Sequence, residues 1–290
     1  MQHPGALGAG NHRIRRLRRL LGSRRDRSRE GVLVLEGPTL AAELLDSRGD
    51  PIEAFVEEGY EPAVLERLRA AAVPIHRVEP GVLASVLTTT TPQPLAVVAA
   101  VADPPPLAPP AGRPLLVVVD LRDPGNAGTL LRTAEAAGAA GLLLAGGSVD
   151  ADSPKVLRAS AGARFRLPVW RRPDARAAVA ELAGLGWQVL ATVVDGSARP
   201  YDSLPLSAAA LVLGNEASGL DPDVVEACTS AVTIPLDGPT ESLNVAVAGA
   251  VVCFEALRQR RSAGGEDRAA PGAEEARVNP LDNTMLGGHR

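Results

Sequence analysis

Leu115-Leu-Val-Val-Val119-Asp-Leu-Arg-Asp123-Pro-Gly-Asn126-Ala-Gly128-Thr-Leu-Leu-Arg132-Thr-Ala134 decides the fold. Five consecutive apolar residues form a strand apolar on both faces, which only a sheet covered by helices on each side can bury. Asp-Pro-Gly then breaks the strand, and apolar residues return at helical spacing over Ala127–Ala137. The same alternation continues downstream: strand Gly141–Leu144, helix Ser153–Ala161 with Ser at the cap and Pro in the first turn, helix Ala175–Leu185, strands Val189–Val193 and Ala208–Leu213, helix Pro222–Cys228 and strand Ala231–Ile234. The implied class is α/β with a largely parallel sheet. A last helix, Leu243–Arg261, has no polar residue from Val245 to Phe254, so it is expected to be buried on nearly every side, within the domain or against a partner.

Upstream lies a second, smaller α/β pattern: apolar runs Gly31–Glu36, Ile52–Val56, Ile75–Val78 and Leu95–Val101, with helical patterns at Pro38–Leu45, Pro62–Ala72 and Val82–Leu87. Between the two, residues 103–113 hold five prolines, which excludes a helix or central strand and predicts a semi-rigid linker. The expected organisation is a basic arm (1–30), a small domain (31–102), the linker (103–113), a larger domain (114–261) and a disordered tail (262–290), the tail because Gly, Ala, Pro and charge there lack periodicity.

The 290 residues carry a net charge of −4, but the first 30 hold nine arginines against Asp26 and Glu30, a net +7 that leaves −11 for the rest. A basic segment on an acidic body suits contact with a polyanion. Ile14, Leu17 and Leu21 repeat at helical spacing within it, so Arg13, Arg15, Arg16 and Arg19 lie on a helix as candidate RNA contacts. A solvated basic tail is the other reading. Cys228 and Cys253 cannot build a disulfide framework, and no apolar stretch is long enough for a membrane helix, so a cytoplasmic protein without membrane contact is expected. Seven aromatics are too few for a sheet that stacks RNA bases.

No dinucleotide-binding or P-loop fingerprint and no His-Glu-x-x-His occurs. His3, His12, His76 and His289 all fall outside the larger domain, so its chemistry must use Arg, Asn, Glu, Ser and backbone groups, with no metal. Three loops at strand ends supply them: Asn126–Arg132, Leu213–Leu220 (Leu-Gly-Asn-Glu-Ala-Ser-Gly-Leu) and Ile234–Asn244. Ligands of open parallel sheets sit beyond the strands' carboxyl ends, so the three loops define one site. Taken singly, Asn126 could cap its helix, Arg132 could be solvated, and the glycines could serve turns.

Jointly, the loops closely resemble the three motifs of the SpoU/TrmH family of SPOUT-class RNA ribose methyltransferases: Asn-x-Gly-x-x-x-Arg-Thr-Ala at Asn126–Ala134, Leu-Gly-Asn-Glu-x-x-Gly-Leu at Leu213–Leu220, and Ile-Pro-x-x-Gly-x-x-Glu-Ser-Leu-Asn-Val at Ile234–Val245. The resemblance implies a SPOUT-type domain with a C-terminal trefoil knot behind a small RNA-binding domain. It implies S-adenosylmethionine-dependent methylation of a ribose 2′-hydroxyl, most often in ribosomal RNA, and a homodimer through the knotted domain and C-terminal helix. Carried over, cofactor contacts fall on Leu213, Gly214, Gly219, Ile234, Leu236 and Leu243, with Thr192 and Gly196 nearby, and catalytic or substrate roles on Asn126, Arg132, Glu216, Ser242 and Asn244. A guanidinium stays protonated at neutral pH, so Arg132 is expected to position the ribose-phosphate and stabilise alkoxide charge, not to act as the base. A non-catalytic RNA-binding or ribosome-assembly factor, and a transfer RNA methyltransferase, are the alternatives.

Overall fold

The computed structural model describes residues 5–108 and 112–263. Of the tail expected at 262–290, Ser262 and Ala263 are still helical, because the last helix runs on to Ala263; its remainder, residues 264–290, and residues 1–4 and 109–111 lie outside the described residues.

Helices α1 (His12–Gly22) and α2 (Arg24–Glu30) lead into β1 (Val32–Glu36), α3 (Pro38–Asp46), β2 (Pro51–Glu57), α4 (Val64–Ala70), β3 (Ile75–Val78) and β4 (Leu95–Ala100). The four strands pair in the order β1-β4-β2-β3, with β4 antiparallel to both β1 and β2, and β2 parallel to β3. Side chains alternate between two apolar layers. Leu33, Leu35, Leu95 and Val97 face α3 and α4, whereas Val32, Val34, Ala96, Val98 and Phe55 meet Ile14, Leu17, Leu20 and Leu21 of α1.

The described part of the expected arm, residues 5–30, is therefore not separate from the small domain. Burying an Ile or Leu side chain is worth about 1.5–3 kcal/mol, so the apolar stripe of α1 docks despite the arginines on its outer face. Between Val82 and Leu87, where a short helix is expected, the chain makes one 3-10 turn at Leu83–Ser85.

The second layer structure comprises β5 (Leu115–Val119), α5 (Pro124–Ala136), β6 (Gly141–Ala145), α6 (Pro154–Ser160), α7 (Ala163–Arg166), β7 (Val169–Arg172), α8 (Ala175–Gly184), β8 (Gln188–Thr192), β9 (Arg199–Pro200), β10 (Ala209–Leu213), α9 (Pro222–Ala227), β11 (Ser230–Thr233) and α10 (Val245–Ala263). Its sheet runs β7-β6-β5-β10-β8-β11-β9, and every paired neighbour is parallel. From β5 the chain first builds outward through β6 and β7, then returns to build the other half from β8 and β10. The order reverses between β5 and β10, so a crevice opens at their carboxyl ends.

Two local departures from the sequence expectation matter for function. Helix α5 begins three residues early, at Pro124, because the Asp123 carboxylate caps it by accepting the Asn126 N–H at 2.7 Å. Helix α10 buries only one side, through Val245, Ala246, Gly249, Val252, Cys253 and Ala256. Its other side leaves Val247 49% and Phe254 48% exposed, so the burial expected on nearly every side is not achieved within one chain.

The two domains share a packed seam. Leu157 of α6 is fully buried in the α3–α4 layer of the first domain, and Phe165 of α7 packs against the same layer. Ion pairs frame it: Arg166 to Glu43 at 2.6 Å, Arg158 to Glu36, and the buried Arg27 to Asp150 at 2.6 Å. Asp150 and Asp152 are further bridged by Arg171, and Arg164 donates to Asp152. Burial opposes ionisation of Asp150, yet Arg171 and Arg27 outweigh it and hold the carboxyl below its ordinary range. Among the described residues no helix is long and apolar enough to cross a membrane.

Candidate active site

The site is assembled from loops that follow β5, β8, β10 and β11. Asp120, the residue after β5, has φ +54°, a left-handed conformation that Asp tolerates better than most residues. Its carbonyl accepts the Asn215 side-chain amide at 2.7 Å, and its carboxylate accepts the Gly147 N–H at 2.7 Å. Asn215 in turn accepts the N–H groups of Ala217 at 2.9 Å and Ser218 at 3.3 Å, and exchanges two backbone bonds of 2.9 Å with Gly219. The loop after β10 is thus a closed ring held to β5. Gly214 lies inside it, where a Cβ would stand 2.5 Å from Gly219 O and from Leu220 N, so no larger residue fits without moving backbone.

Against this ring stands a chain of three side chains. Asn244 Nδ2 donates to Asn126 Oδ1 at 3.1 Å, and Asn126 Nδ2 donates to Glu216 Oε1 at 3.0 Å. Asn244 and Asn126 are held at helix starts, and Glu216 by the loop after β10. Asn244 caps α10 by accepting the N–H groups of Ala246 at 2.8 Å and Val247 at 3.3 Å. Because Asp123 caps α5, the Asn126 amide is released to bridge the other two. Partial burial opposes ionisation of Glu216, but bonds from the Asn126 amide and from the N–H groups of Glu216, Arg122 and Asp123 prevail and hold its carboxyl below the ordinary range.

Beside these residues opens a cavity of about 530 Å³, within the range of small-molecule sites. Leu213, Ile234, Leu236 and Leu243 give it apolar walls; Gly214 and Gly219 form its floor, and Glu216, Glu241 and Ser242 its polar rim. Thr192 also lines it, and the Thr192 hydroxyl is buried with no hydrogen-bond partner. A buried hydroxyl left unpaired costs about 1–3 kcal/mol, so it points to a polar group of a ligand.

Four predicted site residues do not line this cavity: Asn126 and Asn244 reach it only through Glu216, and Gly196 and Arg132 lie apart. Gly196 belongs to the loop after β8 but does not line it. Arg132 is exposed on α5, about 9 Å along the helix axis from Asn126, and makes no side-chain hydrogen bond among the described residues. The predicted RNA contacts also separate. Arg13 and Arg16 both pair with Glu53, a mostly buried carboxylate that also meets His76 Nε2 at 2.9 Å. Arg15 and Arg19 point outward. Sequence reasoning missed Asp120 and the N–H of Arg122; an Asp in a left-handed conformation leaves only a weak signal, its enrichment there over other residues. Both cysteines are free, and burial pushes the thiols of Cys228 and Cys253 up to about 11 and about 12, so neither is a nucleophile at neutral pH.

Comparison with known proteins agrees with this arrangement. The SpoU rRNA Methylase family matches residues 113–254, and the MRM3-like substrate binding domain matches residues 11–97, which takes in α1. The chain is 35% identical over 236 residues to the 23S rRNA (guanosine(2553)-2′-O)-methyltransferase RlmP of Bacillus subtilis, covering 81% of this chain and 92% of that protein. It is 31% identical over 267 residues to the 23S rRNA (uridine(2479)-2′-O)-methyltransferase of Streptomyces viridochromogenes, covering 87% and 91%. An AdoMet-bound rRNA methyltransferase from Sinorhizobium meliloti superposes with a TM-score of 0.76 at 26% identity, over 86% of this chain and 95% of that one.

Proposed function

The chain belongs to the SpoU rRNA methylase family, and from that premise we propose that it transfers a methyl group from S-adenosylmethionine to a ribose 2′-hydroxyl of ribosomal RNA. One observation carries the reading: a cavity of about 530 Å³ with apolar walls and a polar rim opens directly beside the hydrogen-bonded chain Asn244–Asn126–Glu216. A reactive small molecule and a polar acceptor site thereby adjoin.

The residues present fit the cofactor. The glycine at position 214 leaves room where any Cβ would close the ring, and the Thr192 hydroxyl awaits a polar partner. Leu213, Leu236 and Leu243 offer walls for a flat heterocycle, with Ile234 and Gly219 completing the enclosure. When bound, S-adenosylmethionine supplies a sulfonium-activated methyl group. The chain's own contribution is positional: in-line transfer needs the 2′-oxygen held near attack distance and its proton removed. Glu216, ionised at neutral pH, with Asn126 and Asn244 fixed around it, orients the acceptor ribose, and Ser242 bonds at the rim. Arg132, free on the outer face of α5, meets the phosphate beside that ribose and stabilises developing alkoxide charge.

The functional unit is a homodimer. The exposed stripe of Val247 and Phe254 on α10 is the surface that a second copy covers, and the trefoil knot implied by the family resemblance is part of the same reading. A cytoplasmic location is part of the same reading: Cys228 and Cys253 are free thiols, as in a reducing compartment.

The decisive experiment incubates the protein with labelled S-adenosylmethionine and total ribosomal RNA, then maps the 2′-O-methyl position by primer extension at limiting nucleotide. Incorporation at one ribose is expected. Tight RNA binding without incorporation would replace the enzyme by a non-catalytic assembly factor.

A further inference from the structure

At the seam between the domains two arginines from different domains meet the same stretch of main chain. Arg24, at the start of α2, donates to the carbonyl of Ser148 at 3.3 Å, and Arg122, just before the α5 cap, donates to the carbonyl of Gly147 at 3.2 Å. The two side chains, 98 residues apart in sequence, thus bond consecutive residues of one loop, whose Cα atoms are about 3.8 Å apart. Both are exposed. Each donates through one terminal nitrogen, which leaves its other N–H groups without a hydrogen bond among the described residues.

The packing around them is specific. A Cβ at Gly147 would lie 3.1 Å from Asp120 Oδ1, 3.2 Å from Arg122 Nη1 and 3.3 Å from Nη2, so the guanidinium packs close against this glycine. The Asp120 carboxylate, 3.7 Å from Arg122 Nη2, adds a loose orienting contact. On the other side, α2 is fastened to the catalytic domain by the buried Arg27–Asp150 pair one turn away. Arg24 is thus held at the seam by a fixed helix.

Position gives the pair its meaning. The backbone N–H of Arg122 is one of the groups stabilising the Glu216 carboxylate, so its side chain starts at the edge of the active site. In the other direction, α1 presents Arg15, Arg18 and Arg19 outward, with no side-chain partner among the described residues, and Arg25 continues the exposed basic surface on α2. Arg13 and Arg16, by contrast, are occupied by Glu53 and Glu30.

We infer that Arg24 and Arg122 form a two-guanidinium bridge for the RNA backbone, receiving adjacent phosphates where the strand passes from the outer face of α1 to the catalytic cavity. Guanidinium groups bind phosphate through paired N–H donors, which is what these two leave open. The inference rests on the proposed ribose methylation and assigns where its substrate crosses between domains.

The test measures binding of transcribed 23S ribosomal RNA as a function of salt, together with S-adenosylmethionine affinity and thermal midpoint, for R24A, R122A and the double variant. Each loss of a phosphate contact is expected to lower the slope of log K against log salt by about one and to weaken RNA binding about threefold to tenfold. The double variant should lose about two, R24K and R122K should keep the slope, and cofactor affinity should not move. Arg67, exposed on α4 across the sheet, provides the control R67A with an unchanged slope. A double variant with the wild-type slope would overturn the bridge, whatever happens to its thermal midpoint, because a contact that only glues the domains does not change the salt dependence. If the wild type transfers no methyl group, the methylation reading falls, and the slope alone decides the bridge.

Discussion

Asn126 and Glu216 lie 90 residues apart in sequence and are joined by a 3.0 Å hydrogen bond that helps hold the Glu216 carboxyl below its ordinary range. The bond exists because a neighbouring carboxylate, Asp123, takes over capping of α5 and frees the Asn126 amide.

Removing that amide should weaken catalysis more than binding. A hydrogen bond to a charged group is worth about 1.5–3 kcal/mol, so N126A is expected to lower kcat about tenfold to hundredfold. Its S-adenosylmethionine affinity, measured by calorimetry, should stay within about twofold. An equal loss in both would make Asn126 a cofactor ligand.

The same bond predicts a pH effect. Glu216 has a carboxyl held below its ordinary range, so its ionised contribution is present at neutral pH and is lost as pH falls through the folded value. In N126A the penalty of burial is less well compensated, and the acid limb of the rate profile should move to higher pH. A limb unmoved in N126A and still present in E216Q would show that another group titrates.

Gly214→Ala tests the cradle. The added methyl group would meet the Gly219 and Leu220 backbone at 2.5 Å, so either the ring opens or the cavity narrows. S-adenosylmethionine affinity should drop at least tenfold with little change in far-ultraviolet circular dichroism. Unchanged affinity would place the cofactor elsewhere.

The open side of α10 predicts association. Val247→Glu combined with Phe254→Glu should convert a dimer to a monomer in sedimentation equilibrium, since both side chains are about half exposed in the single chain. A wild type that sediments as a monomer would end the homodimer proposal.

The seam predicts stability. Arg27 is 5% exposed and is bonded to Asp150 and to the carbonyls of Leu20 and Leu21. Removing one member of a buried pair leaves the other uncompensated, at about 3–5 kcal/mol, so R27A should fall by that amount in denaturant unfolding. Because Asp150 has a depressed carboxyl pKa, its share of this stability is lost as pH falls through the folded value, and acid should narrow the gap between wild type and R27A.

Much of this arrangement was legible in the residues themselves. Runs such as Leu115–Val119 could only be buried strands, and three polar loops at strand ends could only converge on one face. What charge and period concealed was tertiary. Counting arginines made residues 1–30 look like an arm, although Ile14, Leu17, Leu20 and Leu21 carry α1 into a core. An apolar helix suggested full burial, but Val247 and Phe254 show that one chain lacks the surface to cover it. The left-handed Asp120 and the pairing of Arg27 with Asp150 depend on partners more than 90 residues away, which no local pattern announces.

Leu157 sits inside the first domain while its helix belongs to the second, so the two cannot hinge without tearing an apolar side chain from its layer. On the proposed path of the RNA, the outer face of α1 and the rim at Glu216 stand a fixed distance apart, and target choice would become a measurement of that distance along a folded RNA. A target with extra base pairs inserted between the gripped segment and the acceptor ribose should lose methylation while keeping its sequence at both ends.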